Sequence, residues 1–80
     1  MAQENDFPRM RRMSLCAKLC ELLQMAGYKS LDYIHWDDAI GGVMVKDRYK
    51  PTIRYMLAGK KMKDIDLIEA VIERVRSEYR

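Results

Sequence analysis

Two stretches of helical apolar spacing, one toward each end of the chain, enclose a middle that glycine and proline cut into short pieces. From Ser14 onward, Leu15, Cys16, Leu19, Leu22, Leu23 and Ala26 follow the i, i+3, i+4, i+7 rule until Gly27 interrupts it. Ser14 is a residue type that caps helix N-termini, and Gly27 one that closes them. In the last quarter, Ile65, Ile68, Ile72, Val75 and Tyr79 recur at steps of three and four, with Leu67 and Val71 widening the stripe. Asp66 and Glu69 approximate a capping box at its start. Each stripe needs a partner surface. For the second, the partner is the domain's own core or the same helix of a second copy.

The middle reads as further helix. Ser30 can cap a second helix beginning near Leu31, with Tyr33, Ile34, Trp36 and Ile40 inward and Gly41 and Gly42 ending it. Val43, Met44 and Val45 form an apolar run that fits extended chain, a short strand or a return into helix. Pro51 disfavours helix at Lys50 but suits a first helical position, so a third helix is expected at about 51–58, carrying Ile53, Met56 and Leu57 inward and stopped by Gly59. The expected fold is therefore all-α, a small bundle of four to five helices. Eighty residues allow one domain with a small core. Residues 1–13, with Pro8, Arg9, Arg11 and Arg12, read as a flexible basic arm, and 14–80 as the single helical domain.

Composition removes several classes. No apolar run approaches the ~20 residues that cross a bilayer, and MAQENDFPRMRR lacks the apolar segment of a secretory signal, so a cytoplasmic or nucleoid-associated protein is expected. Cys16 and Cys20 are the only cysteines, four apart on one helix face, and read as free thiols in the core. They are too few for a zinc site. The single His35 lies three residues from Asp38 and beside Asp37, a spacing that could pair them on a helix, but it reads as a surface residue with a local hydrogen bond. Gly41 and Gly42 lack the spacing and the lysine of a phosphate loop. No enzyme, metal or cofactor is expected.

Charge is where the chain is least ordinary. Lys46 to Lys63 holds seven of the fifteen basic residues and one acid, a net of +6, while the whole chain carries +3. The remainder therefore sums to −3, and the positive charge is concentrated as a polyanion partner would require. On a helix at 51–58, Thr52, Arg54 and Tyr55 lie off the apolar face. Lys46, Arg48, Tyr49 and Lys50 flank its N-terminus, where free N–H groups and the helix dipole also favour phosphate. Lys60, Lys61 and Lys63 flank its other end. Flanking phosphate contacts would fix the register, leaving Thr52, Arg54 and Tyr55 for base edges of duplex DNA. With RNA, Tyr49 and Tyr55 become stacking candidates. The alternative is a protein-interaction module, an adaptor or inhibitor, whose basic surface meets an acidic protein.

The stretch TIRYMLAGKK followed by IDLIEAVIERV resembles the second half of phage-repressor-type (Cro-like) helix-turn-helix domains, over about residues 49–75. The resemblance implies a DNA-binding transcriptional regulator acting as a homodimer. By it, Ile53 and Met56 would be core anchors, Gly59 the helix stop, and Lys50, Thr52 and Arg54 the DNA-facing positions. Gly41 to Lys50 would be an atypically long linker between the two helices of the motif.

Overall fold

Between its two apolar stripes the chain turns to strand. The structure is a computed structural model that describes the backbone of residues 2–50, 54–57 and 61–78 and the side chains of residues 10–50 and 61–78. Its elements are α1 (Ala2–Met25), β1 (Leu31–Asp37), β2 (Gly42–Asp47), β3 (Arg54–Leu57) and α2 (Asp64–Glu78). The strands form one antiparallel sheet in the order β1-β2-β3. The architecture is α+β, which corrects the expected all-α bundle and its helix-turn-helix arrangement.

Two of the expected helices are strands. The segment assigned to a second helix is β1, rich in the β-branched and aromatic residues Tyr33, Ile34 and Trp36 that suit a pleated, half-buried surface. The third helix, at 51–58, is replaced where it is described by β3, with Met56 opposite Val43 and Arg54 opposite Val45. The ten-residue linker of the helix-turn-helix reading is largely β2 itself, the central strand. Val43–Val45 is thus extended, one of the three conformations its periodicity allowed.

The hairpin between β1 and β2 needs one left-handed residue. Gly41 supplies it at φ 62°, and the Asp37 carboxylate accepts the Ala39 N–H across the turn. Gly27 (φ 119°) ends α1 as expected, in a Schellman arrangement: the Tyr28 N–H donates to Leu23 O and the Gly27 N–H to Gln24 O. The start of α1 differs, because the helix runs from Ala2 and passes through Ser14, so Ser14 is not its cap.

Both helices cover the same face of the sheet. The core joins Cys16, Leu19, Cys20 and Leu23 of α1, Leu31, Ile34 and Trp36 of β1, Val43 and Val45 of β2, and Leu67, Val71 and Val75 of α2. The α2 stripe is rotated from the expected one: Leu67 and Val71 are fully inside, Ile68 and Ile72 pack at the margin, and Ile65 is exposed. Tyr79 lies outside the described residues. On α1, Arg12 takes a core position while Leu22 and Ala26 face out.

Arg12 is buried because every side of it is answered. Its Nε donates to Asp64 Oδ1 at 3.2 Å, its Nη2 donates to the Met62 carbonyl, and its guanidinium lies 4.6 Å over the Trp36 ring. Arg11 reaches the other Asp64 oxygen at 2.8 Å. These contacts fasten the start of α2 to α1, so Arg11 and Arg12 hold the fold together. Trp36 Nε1 is buried with no acceptor among the described residues, at a cost on the order of 1–3 kcal/mol.

The free side of β1 lies under α1. Gln24 Nε2 donates to Leu31 O at 2.7 Å, and the Cys20 thiol to Asp32 O at 3.8 Å, so two strand carbonyls find partners on the helix. Burial pushes the Cys16 thiol up to about 11 from 9.0 and raises that of Cys20. The folded protein therefore keeps Cys16 protonated while an unfolded chain ionises near pH 9. Its contribution to stability is intact below pH 9 and declines as pH rises from about 9 to about 11. Denaturant midpoints measured across that range should fall for the wild type more than for Cys16→Ala, and thiol labelling of the native protein at pH 8 should be slow until denaturant is added.

Candidate functional site

The end of β2 is built around one buried acid. Asp47 is 6% exposed, and its carboxylate accepts the Ser30 hydroxyl at 2.6 Å and the backbone N–H groups of Tyr49 and Lys50 at 2.8 and 3.2 Å. The Arg48 N–H donates to Ser30 O at 2.7 Å, tying the same turn to the start of β1. With the backbone drawn inward at three N–H groups, the side chains of Arg48, Tyr49 and Lys50 are exposed, Tyr49 at 81%. The acid inside the basic segment is thus what holds the turn that displays its neighbours.

Beside this turn lies the sheet face that the helices leave uncovered. Side chains alternate across a strand, so burying Val43, Val45 and Asp47 sends Met44 and Lys46 outward, and burying Ile34 and Trp36 does the same for Tyr33 and His35. Register sets Tyr33 opposite Lys46 and His35 opposite Met44, with Tyr55 of β3 next in line at Met44. The Tyr33 and His35 rings meet edge to face at 6.4 Å. Lys46 Nζ is 3.8 Å from Asp32 Oδ2 and donates to Asp47 O at 3.4 Å. No described element covers this face. An open groove of about 390 Å³ continues from it toward α1, lined by Cys20, Glu21 and Gln24 on one side and Asp32, Tyr33 and His35 on the other.

The expected site residues are partly assembled. Lys46, Arg48, Tyr49 and Lys50 form one continuous corner at the end of β2. Lys61 and Lys63 are exposed on a different element, the turn that enters α2. Arg54 and Tyr55 belong to a strand and not to a recognition helix. Thr52 and Lys60, with Ile53 and Gly59, lie outside the described residues. His35 and Asp38 do not form the helical pair considered above, because β1 ends at Asp37 and Asp38 belongs to the turn. Among the described residues no cluster of His, Cys, Asp or Glu is placed to hold a metal, and no described helix is long and apolar enough to cross a membrane.

Sequence reasoning gave Asp47 and Met44 no role, turned Tyr33 inward on a helix, and read His35 as a surface residue without a site. For Asp47 a signal was present: in DRYKP an aspartate precedes the residues whose backbone it can cap, a common turn chemistry. For the other three, only a strand assignment could have put them on one face. No protein-family model matches the chain, and neither does any curated protein or solved structure.

Proposed function

We propose that the protein is a small nucleic-acid-binding module that meets phosphates with the basic corner at the end of β2. The observation that carries this is the Asp47-anchored turn, which holds Arg48, Tyr49 and Lys50 outward next to Lys46. The buried acid fixes the backbone of this run at two N–H groups, so its cations are displayed from a set geometry. Preorganised cations lose less freedom on binding than mobile ones, which raises affinity at equal charge.

Phosphate contact has a defined signature, the release of condensed counterions. With Lys46, Arg48 and Lys50 each neutralising about one phosphate, log affinity should fall against log salt with a slope of about −2, or roughly twentyfold between ~50 and ~200 mM salt. Fluorescence anisotropy with a labelled oligonucleotide at both concentrations reads this directly. Absence of binding at ~50 mM salt would overturn the reading and leave an acidic protein as the partner of this corner.

A further inference from the structure

We infer that the ligand is single-stranded nucleic acid, bound with its bases on the open sheet face at Tyr33, His35 and Met44 and its phosphates at the Lys46–Arg48 end. This rests on the nucleic-acid reading of the basic corner and names the form of nucleic acid it takes. A stacking surface needs rings displayed outward and a base whose own face is free. The sheet supplies the first: Tyr33 is half-buried and His35 exposed, locked edge to face, with the Met44 thioether directly across from His35. Only an unpaired, unstacked strand supplies the second, since duplex bases cover one another.

Charge sets the direction of the strand. At the Tyr33–Lys46 end of the face, cations follow in sequence at Lys46, Arg48 and Lys50. At the His35–Met44 end the hairpin brings Asp37 and Asp38, and Asp32 borders the groove 3.8 Å from Lys46. A phosphate tract along the full length of the sheet would meet these carboxylates. A strand that keeps its backbone at the basic corner and lays one or two bases across the rings avoids Asp37 and Asp38, and meets only Asp32, whose charge Lys46 already faces. The segment that would enter a duplex groove as a helix is, where described, the strand β3, so the described residues of the basic segment supply no groove-reading helix.

The test compares a labelled single-stranded RNA, the same sequence as single-stranded DNA, and the corresponding duplexes, with wild type and Tyr33→Leu. Both single strands should bind tighter than either duplex, with preference between RNA and DNA identifying the source. Tyr33→Leu should weaken single-strand binding on the order of tenfold, as loss of one stacked base does, with its melting temperature recorded alongside. Independently of any variant, the Met44 methyl resonance of the wild type should move upfield on adding single strand, under the ring current of a stacked base. Duplex preferred over single strand, or an unmoved Met44 methyl at saturation, overturns the inference while leaving the basic corner intact. Failure of every nucleic acid to bind overturns both.

Discussion

Arg12→Ala is expected to lower the unfolding free energy by about 3 kcal/mol and the melting temperature by roughly 10–20 °C. The residue is 7% exposed and its side chain makes three kinds of contact at once, to Asp64, to the Met62 carbonyl and to the face of Trp36. A charge-assisted hydrogen bond to a carbonyl contributes about 1.5–3 kcal/mol and a desolvated cation–π contact about 2 kcal/mol. The Asp64 pair adds less than a fully buried pair would. Asp64 keeps Arg11 at 2.8 Å and is partly exposed, so it is not left alone when Arg12 is removed. Urea denaturation followed by the fluorescence of Trp36, the only tryptophan, measures the loss. Arg12→Met, which keeps most of the volume without the charge, should recover little. A loss below about 1 kcal/mol would mean that α2 is held by its apolar stripe alone.

Asp47→Ala is expected to cost about 2–3 kcal/mol and, despite making the chain more positive, to weaken nucleic-acid binding. The variant strands the Ser30 hydroxyl and the N–H groups of Tyr49 and Lys50, the donors that the carboxylate collects. Their partial access to water is what keeps the cost below the sum of three buried losses. Asp47→Asn keeps an oxygen for the two N–H groups, and its amide can donate to Ser30 Oγ, so stability and binding should both be largely retained. The sign of the alanine result discriminates between mechanisms. If net charge governed affinity, removing an acid next to Lys46 and Arg48 would tighten binding. If turn geometry governs it, binding loosens.

How far the sequence led follows from particular residues. The two end helices were legible because their apolar residues keep helical spacing over several turns, and Gly27 marked the end of α1. The faces were less so. Arg12 could not be read as a core residue from its type, because burial depends on Asp64, Met62 and Trp36, more than twenty residues away in sequence. Strand β1 was misread for a definable reason. A register shift between Leu31 and Tyr33 puts Leu31, Ile34 and Trp36 on one face, so the apolar steps become three and two. A step of three imitates a helix, and the bulge causing it appears only once β2 is paired alongside. Strand β3 was hidden similarly: Ile53, Met56 and Leu57 match a helical face after Pro51, while the pairing of Met56 with Val43 is a non-local contact that no local pattern carries. The basic corner was visible as charge and invisible as geometry. Its residues stood out, yet the acid that organises them counted only as a subtraction from the total.

The central claim, that this corner is a phosphate-binding surface and not one more charged patch, is tested most directly by salt titration of charge-matched variants. Arg48→Gln with Lys50→Gln and Lys18→Gln with Arg76→Gln each remove two positive charges, the first pair at the turn and the second on the exposed surfaces of α1 and α2. For single-strand binding, the turn pair should reduce the magnitude of the log–log salt slope by about 1.4 and the helix pair should leave it near the wild-type value. Equal slopes for the two pairs would contradict the account, since the cations held by Asp47 would then contribute no more than any others.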